Sequence, residues 1–335
     1  MFSFFWSPQK TIDVKRERGI IANLAMGIAS ITFFTLVAQI VLVNALAILL
    51  PGVIQSTTAQ LFLNAITMYG IAMPLSMRFF NRCPVAKREE KRLGFFMLIG
   101  LIAVCFALNY VGGVIGSWIE ELSASLVGRE ASNPVEETVS DISLGAVFLF
   151  LVVLAPIFEE IFYRKVFIDR LRRYGDVPAI VISGLVFGLI HGNFSQFFYA
   201  ALLGMVFGAI YVYTGKLRYT LFLHMLINFM GSFYITLMLE KLGGNIPEEF
   251  TEEFIAQYPV GCSMMSAYSM VYTVSFFIAI PALISFLRRL NPKKGAVTLL
   301  GEDRRRAVLA NGGLWISLLF LVGYFALSLM AKKNA

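Results

Sequence analysis

Long apolar stretches separated by short charged ones dominate this chain. A helix needs about 20 residues to cross the hydrocarbon core of a bilayer. Residues 19–77 contain no charged side chain, which is enough for two crossings around a turn at Pro51-Gly52. The same pattern continues to the C-terminus and predicts an all-α polytopic transmembrane bundle of about eight or nine helices. The predicted spans are two within 19–77, then 94–118, 144–171, 179–192, 196–213, 219–239, 262–287 and 309–330.

The charged segments between these spans alternate in sign. Segments 78–92 and 288–306 are strongly basic, whereas segments 120–141 and 240–258 are mostly acidic. Lys and Arg collect in the cytoplasmic loops of membrane proteins, so we place the basic segments and the N-terminus in the cytoplasm. The predicted organisation is a cytoplasmic or interfacial lead (1–18), three flanking helices (19–142), a core (143–240), and an external loop with the C-terminal helices (241–335).

Composition agrees with an integral multi-pass membrane protein. The chain is 58% hydrophobic and 15% charged, whereas soluble domains are about 45–50% apolar and about 25% charged. The net charge of +7 does not indicate a nucleic-acid partner, because the basic residues lie in short loops between apolar spans. Three widely spaced cysteines form neither a metal motif nor a disulfide framework. The expected partner is the lipid bilayer, and the sequence does not indicate an oligomeric state.

A few ionisable residues lie inside the apolar spans and need an explanation. An acidic side chain at membrane depth costs roughly 2.5–3.5 kcal/mol, so it usually faces the protein interior and has a function. Glu159 precedes Gly175 by 16 residues and His191 follows it by 16. If the chain turns at Gly175, both lie about 24 Å along their helices and meet at one depth. His224 and Asn228 are spaced to share one face of another helix.

The two adjacent glutamates point about 100° apart around a helix, so we expect them to differ in role. Glu160 and Arg164 have the spacing of a favourable i,i+4 ion pair, which assigns them a partly structural role and leaves Glu159 as the reactive carboxylate. The reverse assignment stays open. Structural alternatives also exist, namely a solvated helix end at Glu159-Glu160, a buried core histidine at His191, and an interhelical hydrogen-bond pair at His224 and Asn228.

This set of side chains suits hydrolysis. A carboxylate near imidazoles can activate water as a general base, and a histidine or asparagine can stabilise an oxyanion. Alternatively, Glu159, His191 and His224 could hold a divalent metal such as Zn²⁺ with one position left for water. Either arrangement hydrolyses a peptide bond inside the bilayer. Because His224 follows a basic turn, we expect the site to open to the cytoplasm.

Three ordered motifs carry a family resemblance. Glu159-Glu160-x-x-x-Arg164, Phe187-Gly-Leu-Ile-His191 and His224-Met-Leu-Ile-Asn228 resemble the motifs of the CAAX-protease and bacteriocin-processing (CPBP, or Abi) family of intramembrane proteases. The resemblance covers roughly residues 145–240.

The resemblance implies an intramembrane endopeptidase acting on hydrophobic or lipidated peptides or proteins, in a compact form typical of bacterial cell membranes. It implies that Glu159 activates water with His191, and that His224 and Asn228 support the oxyanion. Glu160 and Arg164 are implied as supporting residues. Whether such a site uses zinc or a metal-free glutamate mechanism stays open at this point.

Two other classes of function compete with a protease. Intramembrane Glu and His also form proton relays in transporters, which predicts a polar path from both faces and often an internal repeat. No repeat is visible in the sequence. The other class is a non-catalytic immunity or binding protein on the same scaffold, which would keep its effect after the site residues were replaced.

Overall fold

The computed structural model describes residues 12–50, 52–53, 55–87, 89–128, 142–244, 246–247 and 249–331. Most of the N-terminal lead and residues 129–141 of the first acidic segment lie outside the described residues. Within the described part, every predicted span is helical and no β-strand occurs; an isolated bridge joins Gly175 and Lys294. The prediction of an all-α polytopic bundle is therefore confirmed.

The helices follow the apolar stretches closely, and caps fix several of their starts. Asp13 accepts a hydrogen bond from the Arg16 amide at the first start, and Asn193 accepts one from the Gln196 amide after a turn, which satisfies amides that have no partner within the helix. In chain order the helices are α1 (Val14–Leu49), α2 (57–80), α3 (Phe95–Val127), α4 (Leu144–Tyr174), α5 (Asp176–Ile190), α6 (Phe194–Thr214), α7 (Leu217–Lys241), α8 (Glu252–Gln257), α9 (Pro259–Arg289), α10 (Gly301–Leu309) and α11 (Gly312–Ala331).

Fewer helices than predicted have the length and composition to cross a membrane by themselves. Six of those in the described ranges do, and a seventh crossing results if α10 and α11, bent by 51° at their junction, form one span. The predicted number was eight or nine. The difference lies in α2, which carries several polar residues, and in α5, which has 15 residues and reaches about 22 Å, short of the ~30 Å hydrocarbon core.

The short helix α5 turns back into α6 as a tight hairpin, and α6 also packs on α3. Glycines make the close contact between α5 and α6 possible. A Cβ at Gly188 would lie 2.6 Å from the Phe197 carbonyl, and one at Gly184 would lie 2.8 Å from the Met205 amide nitrogen. Small residues allow this approach between membrane helices. The hairpin therefore holds His191, which follows α5, in a fixed position.

Ion pairs join the predicted cytoplasmic segments at one end of the bundle. Arg173 pairs with Glu17, which ties the end of α4 to the start of α1. Arg172 pairs with Asp176 at 2.7 Å across the turn at Gly175, whose φ of +121° suits glycine. The other oxygen of Asp176 accepts a hydrogen bond from the Lys293 amide. The basic segments therefore lie together, as their charge pattern predicts.

Two turns of α4 are π-helical, residues 148–154 and 161–168, and they flank the adjacent glutamates on both sides. A third π-helical turn, 229–234, begins directly after Asn228. Such turns often occur at functional sites because they redirect side chains and free backbone groups.

Candidate active site

Glu159 faces a large cavity inside the bundle. The cavity has a volume of about 1130 Å³ and is lined by Glu159, His191, His224 and Asn228, together with residues of α1, α2 and α3. The Glu159 side chain is 14% exposed. One of its oxygens accepts a hydrogen bond from the Tyr69 hydroxyl at 3.3 Å. Glu159 is thus a carboxylate that water and a ligand can reach.

Glu160, its neighbour, points away from the cavity and is 1% exposed. The Arg164 guanidinium donates two hydrogen bonds to it, at 2.9 and 3.0 Å, one to each carboxylate oxygen. This bidentate geometry is the strong form of such a pair. The two glutamates therefore occupy different environments, one open to the cavity and one neutralised behind it.

Arg164 is itself completely buried and surrounded. Its third nitrogen donates to the Ser183 hydroxyl at 3.3 Å. The rings of Phe187 and Phe207 lie 5.4 and 5.7 Å from the guanidinium, within the range of cation–π attraction. Burying a charge is costly unless it is paired and hydrogen-bonded, and here both conditions are met.

His224 lies between the two glutamates. Its Nδ1 is 3.1 Å from Glu160 Oε1, and because a carboxylate can only accept, Nδ1 donates this hydrogen bond. Its Nε2 is 3.7 Å from Glu159 Oε2. That separation is too long for a direct hydrogen bond and is the kind of gap that a water molecule bridges. The Glu160–Arg164 pair therefore fixes the orientation of the imidazole that faces Glu159.

His191 presents one ring nitrogen to the same cavity. Its Nδ1 lies 2.7 Å from the carbonyl oxygen of Phe187, one turn earlier, so Nδ1 carries the proton and Nε2 is left as the acceptor. The ring of Phe187 packs edge-on against His191 at 5.1 Å and against His224 at 5.7 Å. Phe187 thus separates the two imidazoles and sets their spacing.

Asn228, on α7, is anchored by a backbone carbonyl of α4 that has no hydrogen-bond donor within α4. In the π-helical turn of α4 the Ala155 amide donates to Phe150, five residues back. The next acceptor in this series, the Leu151 carbonyl, faces Pro156, which has no N–H. Asn228 Nδ2 donates to this carbonyl at 2.8 Å. The proline therefore creates the acceptor that positions the asparagine.

The cavity extends away from the basic end of the bundle. From Glu159 it reaches Ser143, Leu239 and Glu240, next to the acidic segments, and none of its lining residues belongs to segments 78–92, 165–175, 216–218 or 288–306. On the basic side, the buried side chains of Tyr163 and Phe207 close it. The position of His224 after a basic turn predicts an opening at the basic end of the bundle, whereas the cavity reaches the acidic end.

Three contributors to the site escape sequence reasoning. Tyr69 comes from α2 and stacks on Phe158 at 4.7 Å, while Ser183 and Phe207 come from the α5–α6 hairpin. A tyrosine or serine in an apolar helix carries no signal of its own, because its partner is set by how the helices pack. Phe187, by contrast, is predictable from the sequence. Its place one turn before His191 predicts that it packs against the imidazole ring, and the structure shows that contact.

A metal ion does not fit the arrangement seen here. Across the described ranges, no group of three or more His, Cys, Asp or Glu side chains is placed to hold one. His224 Nδ1 is engaged with Glu160, so only its Nε2, 3.7 Å from Glu159 Oε2, is left to bind a ligand. We therefore derive no chemical step through a metal, and zinc binding stays a prediction.

Comparisons with known proteins find one family model and two relatives that match part of the chain. Residues 141–230 match the family model "Type II CAAX prenyl endopeptidase Rce1-like". The chain is 24% identical over 158 residues to the putative membrane peptidase YdiL of Bacillus subtilis, which covers 46% of this chain and 62% of that protein. It is 28% identical over 109 residues to the membrane-embedded CAAX protease MroQ of Staphylococcus aureus, covering 30% and 44%. The chain thus spans less than two thirds of either relative, and no solved structure matches it significantly.

Proposed function

We propose that the chain is an intramembrane endopeptidase of the CAAX-protease and bacteriocin-processing type, because residues 141–230, which hold all three motifs, match the Rce1-like family model. The observation that carries this proposal is the pairing of Glu159, open to the cavity, with His224, which is held from behind by Glu160 and Arg164. A reactive carboxylate and an oriented imidazole on one cavity are the parts that water-dependent hydrolysis needs.

In the proposed reaction, Glu159 is the general base. A water molecule between Glu159 and the Nε2 atom of His191 loses a proton to the carboxylate while its oxygen attacks the peptide carbonyl carbon. His191 orients this water because its Nε2 is the accepting nitrogen of the ring. General-base catalysis of this type contributes typically 10²–10⁴-fold to the rate.

His224 and Asn228 stabilise the developing oxyanion by donating hydrogen bonds to it. Asn228 uses one amide hydrogen for the Leu151 carbonyl, and the second hydrogen of the same nitrogen is free to donate to the oxyanion. His224 contributes through Nε2 when that nitrogen carries a proton. One such donor is worth about 10²–10³ in kcat. Collapse of the intermediate breaks the C–N bond, and the amine leaves with the proton that Glu159 received.

The proposed substrate is a hydrophobic or lipidated peptide or protein segment. The cavity is long and combines apolar walls with a few polar groups, which suits an extended peptide with apolar side chains. Its position among membrane helices restricts it to segments that enter the bilayer.

Cleavage of a quenched-fluorescent hydrophobic peptide library by the purified protein tests this function. Wild type should cleave at least one peptide, and Glu159→Gln should abolish cleavage while its unfolding temperature stays unchanged. Glu302→Gln is the matched control, because Glu302 lies on the exposed helix α10 and pairs only with neighbouring arginines. If Glu159→Gln cleaves at the wild-type rate, the proposed mechanism is wrong. If that variant also keeps the cellular phenotype of wild type, the binding-protein alternative replaces catalysis.

A further inference from the structure

The cavity and the charge pattern together indicate from which side the substrate comes. Building on the proposed protease function, we propose that the site takes its substrate from the extracytoplasmic face of the membrane. Its substrate class is then an extended segment of an exported or membrane-anchored peptide, and not a chain end presented in the cytoplasm.

The first observation is the course of the cavity. It begins at His224, which lies seven residues into α7 from Leu217, about 10 Å along the helix. It then follows the same helix past Ser232 and Thr236 to Glu240 and Gly244. The reactive groups are thus at its inner end, beside the turn between α5 and α6, and its other end lies at the start of α4 and the end of α7, next to the acidic segments.

The second observation is what closes the other end. Tyr163, Arg164 and Phe207 are each at most 1% exposed and lie beneath the imidazoles. Farther on, Asp169 is also buried and accepts a hydrogen bond from the Tyr211 hydroxyl at 3.2 Å. A peptide approaching from the basic end would have to displace this packed layer, including the buried Glu160–Arg164 pair.

The third observation is the distribution of charge between the two ends. The segments 119–142 and 240–258 adjoin in sequence the helix ends at the opening of the cavity, and they contain only two basic residues, Arg129 and Lys241, against eleven acidic ones. The opposite end carries the basic segments, joined to one another through Glu89, Asp176 and Lys293. Because Lys and Arg are retained in the cytoplasm, the open end is extracytoplasmic.

These observations narrow the substrate. A peptide must reach the site from outside the cytoplasm and descend along α7 to Glu159. The negative charge around the opening raises the local concentration of peptides with Lys or Arg flanking their apolar segment.

Thiol labelling in intact cells tests the access route without requiring turnover. The background is full-length protein with Cys262→Ser, which leaves the buried Cys83 and Cys105. Single cysteines are then introduced at two cavity positions, Ser117→Cys and Thr236→Cys. Two exposed reporters mark the faces, Gln257→Cys at the acidic end and Lys87→Cys at the basic end.

A membrane-impermeant sulfonated maleimide should label both cavity cysteines and Gln257→Cys in intact cells, and Lys87→Cys only after permeabilisation. The proposal is overturned if neither cavity cysteine reacts in intact cells while Gln257→Cys does. It is also overturned if Lys87→Cys reacts from outside and Gln257→Cys does not, because the cavity would then open to the cytoplasm.

The same labelling repeated with Glu159→Gln separates this proposal from the proposed function. Access should be unchanged in that variant although cleavage is lost, since the carboxamide keeps the shape of the site. A library peptide that wild type cleaves should be hydrolysed in right-side-out vesicles and spared in sealed inverted ones. Cleavage in inverted vesicles alone would overturn the access route and leave the protease function standing.

Discussion

Asn228 donates its side-chain amide to the carbonyl of Leu151 at 2.8 Å, an acceptor that is free because Pro156 cannot donate to it. The hydrogen bond joins α7 to α4 next to the reactive glutamate. It makes Asn228, in the third motif, dependent on Pro156, which lies three residues before the first motif and 72 positions earlier in the chain.

This dependence predicts a coupling between two substitutions. Asn228→Ala should lower the free energy of unfolding by about 1 kcal/mol, because it leaves a part-buried carbonyl without its partner. In a Pro156→Ala background the new N–H can serve Leu151, and the cost of Asn228→Ala should fall. Denaturant titration of the four proteins in detergent measures the coupling. Equal costs in both backgrounds would contradict the proposed origin of the hydrogen bond.

Substitution of the two adjacent glutamates should have different effects, one on cleavage and the other on stability. Glu159→Gln should reduce cleavage by about 10²–10⁴-fold and leave stability unchanged, since this side chain faces the cavity. Glu160→Gln should instead destabilise the protein by roughly 3–5 kcal/mol, because it leaves the buried Arg164 without its counter-charge. Parallel measurement of cleavage rate and unfolding temperature distinguishes the two. If Glu160→Gln were stable and Glu159→Gln unfolded, the roles would be reversed.

Arg164→Lys should not be a conservative change. Lysine cannot form the planar bidentate pair with Glu160 and reach Ser183 as well, so we expect a loss of about 1.5–3 kcal/mol in stability. Arg170→Lys is a suitable comparison, because Arg170 is also buried on α4 but donates to backbone carbonyls. Unfolding in detergent measures both variants, and equal losses would argue against a special requirement at Arg164.

The Tyr69 hydroxyl should contribute to catalysis by positioning Glu159. Tyr69→Phe keeps the stacking on Phe158 and removes only the hydrogen bond, so kcat should fall about tenfold, or ~1.4 kcal/mol, with KM nearly unchanged. Tyr268→Phe is the matched control, since Tyr268 also lines the cavity but donates to Tyr272. An unchanged kcat would remove Tyr69 from the site.

Metal dependence can be measured directly on the purified protein. We expect cleavage to survive exhaustive chelation, because the described side chains around Glu159 do not converge as a metal site. Elemental analysis of the same samples gives the zinc content. Stoichiometric zinc that is lost in both His191→Ala and His224→Ala would contradict this expectation and establish the metal mechanism.

Hydropathy and charge predict most of the fold. The lengths of the apolar stretches locate the helices. The alternation of basic and acidic segments predicts which loops lie at the same end of the bundle, and ion pairs such as Arg173–Glu17 join those loops. The prediction fails for α5, where apolar composition suggests a crossing but the next helix begins after only three residues, His191–Asn193. Composition identifies the apolar stretch but not the residue at which the helix ends. The close glycine contacts between α5 and α6 show that the chain turns back there.

Some features of the candidate site can likewise be predicted from the sequence, and others cannot. Spacing alone suggests that Glu160 and Arg164 pair, since both lie on one helix. It also suggests that Glu159 and His191 meet at one depth, and both line one cavity. The roles of these residues stay predictions. Tyr69 and the direction of the cavity depend on which helices pack against α4, and one sequence carries no record of that packing.

The placement of Glu160 and Arg164 on a single helix has a consequence for how the protein is made. Each charge alone would cost roughly 2.5–3.5 kcal/mol on entering the bilayer. Their pair can close as soon as α4 coils, while the ribosome is still translating the residues that become α5 and α7. The segment can thus enter the bilayer with its two charges already neutralising each other, and the contacts from Ser183 and His224 can complete the centre afterwards.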